Sequence, residues 1–308
     1  MSKREAQHQP GWYYRLSDFF RELFGGPVYK IPLDAGFSCP NRDGTLGLNG
    51  CAYCYNPSFS PFSGREPESS VAEQIERGRK KKKEARYLAY FQSYTNTYAP
   101  LEELKALYNE ALSDPRVAGL SIATRPDCIS EDIVALLEGY ARLYHVWLEL
   151  GLQSAHDRTL ERINRGHDTA AFTGAVKMSR DRGIFLCAHI ILGLPGETKA
   201  MMLETIEYLN RVRVDGVKFH HLQIIKNTLF AEQYKKGQIQ VYNTAGDYIP
   251  VLCDCIEKLS PEIVIHRLAS TAASKELLIA PHWPESAGQI ASAVKAELSE
   301  RGTWQGVN

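Results

Sequence analysis

Three cysteines, Cys39, Cys51 and Cys54, stand in CPNRDGTLGLNGCAYCYNP at a C-x11-C-x2-C spacing, with no fourth cysteine close by. A closed structural zinc site takes four protein ligands. Cysteine thiolates are also the normal ligands of iron–sulfur clusters, and three of them can hold three irons of a [4Fe–4S] cube. The fourth iron then keeps an open position for a small chelating molecule, such as the amino and carboxylate groups of S-adenosylmethionine. Taken alone, the spacing leaves two other readings: a zinc site closed by a histidine or a remote cysteine, and unligated core cysteines.

Such a loop must be held by a fold, and the rest of the chain reads as alternating strands and helices. Short apolar, β-branched runs fall at 28–37, 86–93, 117–124, 146–152, 185–193 and 217–225. Amphipathic stretches at 69–84, 100–113, 130–144, 169–182 and 199–213 fit between them as helices. That alternation argues for a parallel sheet. Six βα units are too few for a closed eight-stranded barrel, so the expected core is a partial (β/α)6 TIM-like barrel over 28–240. An N-terminal helical segment (1–27) precedes it, with apolar residues at helical spacing in 12–26 and a Gly-Gly stop. A C-terminal helical extension (241–308) follows, with helices at 244–259 and 286–300 and a possible strand in EIVIHRL, 262–268.

Composition narrows the setting. The 308 residues are 44% hydrophobic and carry a formal net charge of +0, which gives no bulk argument for nucleic acid or a membrane surface. There is no signal-peptide pattern and no apolar run near the roughly 20 residues that span a bilayer. Seven cysteines without an export signal point to a reducing, cytoplasmic setting.

In barrels of this kind chemistry sits at the C-terminal ends of the strands. Those ends carry the cysteine loop, then QSYTNTY (92–98), TRPD (124–127), GLQSAHDRTLERINRGHD (151–168), HIILGLPGET (189–198), and finally His220, His221, Gln223 and Lys226. Polar residues at six successive strand ends converge on one mouth.

These motifs resemble the radical SAM family, and within it the Elongator catalytic-subunit branch with its small bacterial YhcC/YtqA-type members. They cover residues 28 to about 226, and RLAS…LIAPHW…QG near the end is similar too. The resemblance implies a [4Fe–4S] cluster on Cys39, Cys51 and Cys54. That cluster reduces S-adenosylmethionine to methionine and a 5′-deoxyadenosyl radical, which takes hydrogen from a substrate. It places Tyr53 against adenine, Gln92, Ser93 and Asn96 near the methionine ammonium, and Gln153, Ser154 and Arg125 among the cofactor contacts. Arg165 would pair with the methionine carboxylate, which suits a planar guanidinium. His189 takes a ribose position, and Gly193 shapes the turn beside adenine. At 123 many relatives carry a glutamate where this chain has Ala123, so that contact is either absent or supplied from elsewhere, by Arg125, Asp127 or His189. The Elongator subunit's acetyltransferase domain has no counterpart in these residues.

By the same resemblance the substrate is tRNA, at the C5 side chain of wobble uridine, with an electron donor such as a flavodoxin or ferredoxin. Arg42, Arg65, Arg125, Arg158, Lys226 and Arg267 are the basic residues expected near the mouth. Other readings are a radical SAM oxidase of a small molecule such as a porphyrin precursor, and a non-catalytic zinc or iron–sulfur binding protein. Adjacent strand residues face opposite sides, so one of His220 and His221 should face substrate; His221 and Lys226 are taken as the catalytic pair. The basic run at 77–86 reads as a solvated helix end on the opposite face. Cys128, Cys187, Cys253 and Cys255 read as small buried hydrophobes.

Overall fold

A computed structural model of the chain describes residues 11–58, 69–79, 85–270 and 274–308. In chain order the elements are α1 (Leu16–Phe24), β1 (Val28–Leu33), α2 (Val71–Arg79), β2 (Arg86–Phe91), α3 (Leu101–Leu112), β3 (Val117–Thr124), α4 (Glu131–Ala141), β4 (His145–Gln153), α5 (Asp157–Arg162) and α6 (Thr169–Ser179). There follow β5 (Phe185–Leu192), α7 (Lys199–Val212), β6 (Gly216–His221), β7 (Ile224–Ile225), α8 (Leu229–Lys235), α9 (Ala245–Lys258), β8 (Val264–Arg267), β9 (Leu278–Ala280) and α10 (Ala287–Arg301).

Seven strands form one parallel sheet in the order β1-β2-β3-β4-β5-β6-β8, curled into a half-barrel with helices outside. The partial TIM-like barrel is the expected one, with a strand more. The seventh, β8, comes from the segment read as an extension and pairs with β6. β1 stops at Leu33 rather than continuing to 37. There Gln74 of α2 takes over the pairing of Asp34, accepting from its N–H at 2.9 Å and donating to its carbonyl at 2.8 Å. β7 and β9 form a separate antiparallel pair. No helix among the described residues is long and apolar enough to cross a membrane.

The layering of the barrel follows from the period-2 alternation of β4. Val146, Leu148, Leu150 and Leu152 join the large core shared with the outer helices. His145, Trp147, Glu149, Gly151 and Gln153 alternate with them and line the interior from floor to mouth.

The floor is aromatic. Phe19 of α1 meets Trp147 edge-on at 5.6 Å and Phe185 at 5.5 Å, while Phe20 and Phe24 close on the His145 ring. Phe20 is buried here, and a fully buried side chain of this kind stabilises by about 1.5–3 kcal/mol. The aromatic face of the N-terminal helix is therefore spent on the core. Gly25 ends α1 in the left-handed conformation, its N–H donating to the Arg21 carbonyl. Tyr14 then ties this helix to both β8 and the last residues: Ile265 N–H donates to its carbonyl, and its own N–H donates to Gln305 Oε1 at 2.8 Å.

Of the basic run, Arg77 and Arg79 close the last turn of α2, and residues 80–84 lie outside the described residues. Cys187, Cys253 and Cys255 are buried and Cys128 is half-buried.

Candidate active site

Cys39 follows β1, and Cys51 and Cys54 lie further along the same loop; all three line a cavity of about 260 Å³ at the C-terminal ends of the strands. The loop is hooked to the segment after β4. Asn41 Nδ2 donates to the Asn164 carbonyl at 2.7 Å, Asn164 Nδ2 donates back to the Gly50 carbonyl at 2.7 Å, and Ala52 N–H donates to the Ile163 carbonyl. Thus the cysteines are positioned by two loops that never meet in sequence.

Burial opposes the Cys51 thiolate, but Arg165, whose Nη1 lies 3.5 Å from Sγ, then Arg125 and Asn41, hold its pKa below the ordinary thiol value. Cys54 is pushed up to about 11 by burial and by the neighbouring Cys51, against the pull of Arg42. In that setting one thiolate is prepared and the second comes at a cost that a bound cation would offset.

A tetrahedral zinc at about 2.3 Å from each sulfur would bring those sulfurs within roughly 4 Å of one another. Among the described residues the only trio of such donors within 4.8 Å is Glu149, Cys187 and His266, deep in the barrel. The three loop thiols do not form such a compact trio. A cube whose cysteines bind different irons accommodates the wider spacing. Three buried polar atoms on the cavity wall, Asn56 Nδ2, Thr95 Oγ1 and Arg165 Nε, lack a hydrogen-bond partner. Orphaned polar atoms of that kind call for a ligand.

The other expected cofactor residues divide into two groups. Tyr53, Gln92, Arg125, Gln153, Arg165 and His189 all line the cavity with the cysteines. Gln153 has φ 76° beside a register shift in the β4–β5 pairing, and Tyr94 at the end of β2 has φ 60°. Backbone held in the left-handed region at two strand ends marks places where side-chain direction outweighs local comfort. Arg165 Nη2 donates to the Gly151 carbonyl at 2.8 Å, and a Cβ on Gly151 would sit 2.6 Å from that nitrogen.

Ser93, Asn96, Ser154 and Gly193 stand behind the wall. Asn96 Nδ2 donates to the Ala123 carbonyl at 2.7 Å and so fixes the end of β3. Ser154 bonds Glu197, and Gly193, at φ 84°, leaves room for the Tyr242 ring. Of the substitutes considered for the glutamate missing at 123, Arg125 and Asp127 are paired with each other at 2.9 and 2.7 Å. His189 remains on the wall.

Below the cysteines lies a charged layer. Glu149 is fully buried, with Lys30 and Ser121 on Oε1 and with Lys218 at 2.8 Å and His189 at 2.7 Å on Oε2. Lys218 also donates to the Tyr90 hydroxyl at 2.6 Å. Burial would raise the Glu149 carboxyl, but Lys218, Lys30 and the His189 hydrogen bond outweigh it and hold it well below the usual range. Burial and Lys218 hold His189 down to about 4, so it is neutral near pH 7. Burial, then Arg267, keeps His220 neutral as well.

Lys30, Lys218 and Tyr90 carry no motif, and Glu149 heads the motif ELGLQSAHDRTLERINRGH without a role assigned to it. For the three charged residues the signal was a lone charge within an otherwise apolar strand: VYKIPL, VWLELGL, GVKFHH.

At the end of β6 the pair of histidines separates. His220 lies on the inward face with Lys218, its ring 5.5 Å from His189 and its Nδ1 3.2 Å from Ser270 Oγ. His221 borders the cavity but stacks on Trp283 at 3.9 Å and accepts from Ser270 N–H at 3.3 Å. Lys226 is exposed beyond β7 and does not line the cavity.

Residues 45–209 match the Radical SAM superfamily, and residues 214–300 match the Radical_SAM C-terminal domain. The chain belongs to the radical SAM superfamily. Its cofactors are therefore a [4Fe–4S] cluster and S-adenosylmethionine. This radical SAM chain is 39% identical over 297 residues to Uncharacterized protein YtqA of Bacillus subtilis, covering 96% of the chain and 92% of the relative. It is 42% identical over 265 residues to Protein YhcC of Escherichia coli, covering 85% and 84%. A tRNA uridine(34) acetyltransferase of Methanocaldococcus jannaschii is 30% identical over 146 residues, 46% of this chain and 26% of the relative. Among solved structures, the archaeal Elp3 of Methanocaldococcus infernus superposes with a TM-score of 0.65 at 17% identity, over 90% of this chain and 64% of that one. The fold is thus of the Elongator-like branch, beside YtqA and YhcC, and the chain spans under two thirds of the Elp3 structure.

Proposed function

We propose that this radical SAM chain modifies the side chain on C5 of the wobble uridine of tRNA. The cluster and S-adenosylmethionine, when bound, supply a carbon-centred radical able to take a hydrogen atom. Cys39, Cys51 and Cys54 would hold the cluster, and Arg165, Gln153, Tyr53 and His189 would seat the second cofactor. The chain's own contribution is a chamber closed below by aromatic rings and facing the strand ends, which limits the access of water to a reactive radical. Neutral His189 and His220 on its wall can donate or accept a hydrogen bond without bringing charge to the reacting carbon.

The observation that carries the reading is the correspondence of this fold, over nine-tenths of its length, with the Elongator type. The relative named for tRNA uridine 34 supports it. Basic residues near the mouth are suited to RNA in different degrees. Arg158 and Lys226 are exposed, Arg42 and Arg267 border the cavity, and Arg125 is buried and committed to Asp127. Arg65 lies outside the described residues. A donor of single electrons, such as a flavodoxin or ferredoxin, completes the system.

The test is a tRNA nucleoside profile by mass spectrometry in a strain lacking the gene, complemented with wild type or with Cys51→Ser. Loss of one wobble-uridine derivative, restored by wild type alone, is the expected result. An unchanged profile with the gene expressed would overturn the RNA reading and direct the search to small molecules.

A further inference from the structure

β8 departs from regular pairing at one place. Gly216 and Val217 of β6 pair with Val264 and Ile265, but Lys218 pairs with Arg267, so His266 is an extra residue. A bulge of this kind re-aims the side chains beside it and is common next to active sites. Regular alternation would set Arg267 on the opposite face from Lys218. With the bulge, His266 lies 3.9 Å from Glu149, and Arg267 borders the cavity together with Lys218 and His220.

The charges around that wall do not balance. Lys30, Lys218 and Arg267 stand against one carboxylate, Glu149, whose two oxygens are already taken by Lys30, Ser121, Lys218 and His189. Among the described residues Arg267 has no ion-pair or hydrogen-bond partner. His189 and His220 add hydrogen-bonding capacity but no charge. Surplus positive charge on a wall where Lys218 is buried and Arg267 partly buried costs free energy unless a ligand brings the counter-charge.

We propose that Lys218 and Arg267 form a subsite for an anionic group of the substrate, a carboxylate or a phosphate, on the β6–β8 wall. Arg267 supplies a planar fork that suits either group, and Lys218 a point charge. The proposal rests on this cavity being the substrate chamber and not on the substrate being RNA, so its test contains no nucleic acid.

Reconstituted protein is melted in chloride, in inorganic phosphate and in succinate at equal ionic strength. The same series is run on Arg267→Gln and, as a control, on Lys177→Gln, an exposed position on α6. Millimolar phosphate or succinate should raise the wild-type Tm by roughly 2–4 °C over chloride. Lys177→Gln should keep that rise and Arg267→Gln should lose it. A rise with phosphate alone assigns a phosphate, and with succinate alone a carboxylate. No rise in wild type, or an undiminished rise in Arg267→Gln, overturns the proposal. In dilute chloride Arg267→Gln should melt at or above wild type, because an uncompensated cation has been removed. A lower Tm there, or failure to fold, would make Arg267 a structural residue and overturn the proposal equally.

Discussion

Ala123 of β3 and Glu149 of β4 are register partners on adjacent parallel strands, and both line the same cavity. The acidic side chain that the family resemblance expects at 123 thus has a neighbour one strand over. Its role differs, because Glu149 is the buried counter-ion of two lysines. Removing one partner of a buried pair costs more than the pair contributes, since the other charge is left uncompensated. Glu149→Gln should therefore lower unfolding free energy by about 3–5 kcal/mol in a urea titration. Adding Lys218→Met to it should recover part of the loss; strictly additive losses would sink the ion-pair account.

The floor of the barrel gives a pH prediction. Burial, and then Lys30, push His145 down to about 3. Its folded pKa lies below its unfolded value of about 6.5, so the unfolded chain binds the proton first. The stability it contributes is complete above pH 6.5 and is lost as pH falls from there towards 3, at about 1.4 kcal/mol per pH unit. His145→Gln removes that proton uptake. Its stability should fall less steeply between pH 6 and 4 by that amount, measured by urea unfolding at several pH values.

Metal content separates the two kinds of cysteine. After anaerobic reconstitution the wild type should hold about four irons per chain. Cys39→Ala, Cys51→Ala and Cys54→Ala should each lose most of that iron and its visible absorption. Cys253→Ala, at a buried site in α9, should keep both. Zinc near one equivalent without iron in wild type would contradict the cluster assignment.

Gly151 is constrained by its neighbour rather than by its own backbone. In Gly151→Ala the new methyl would press on Arg165 Nη2 and Gln153 Nε2. Losing a charge-assisted contact costs roughly 1.5–3 kcal/mol, so S-adenosylmethionine affinity should drop about tenfold or more by equilibrium dialysis. Gly174→Ala, which meets nothing within 4 Å, should bind as wild type does.

If RNA docks at the mouth, its phosphates meet the exposed cations first. Lys226→Ala and Arg158→Ala should each weaken tRNA binding and reduce the log–log salt slope by about 1. An unchanged slope in both would place RNA elsewhere or nowhere.

How much of this was legible from residues alone varies by element. β4 was legible because VWLELGL is too apolar for anything but a buried strand, and the cysteine loop because its spacing carries its own chemistry. β8 was visible as a possible strand in EIVIHRL, but whether it joined the sheet depended on partners in β6 and Tyr14, far away in sequence. The charged layer was the least legible. Lys30, Glu149 and Lys218 come from three strands with more than a hundred residues between the first two, and only the closing of the sheet brings them together. The inward histidine at β6 turned on strand phase: the pattern required one of two to face in, and the start of β6 at Gly216 set it as His220.

The aromatic floor built by Phe19, Phe20 and Phe24 against Trp147 and His145 has a consequence for access. Rings packed in this way leave no passage through the base, so nothing reaches the chamber from the α1 side. The cofactors and any substrate must then come and go by the other end of the strands, where the cysteine loop lies.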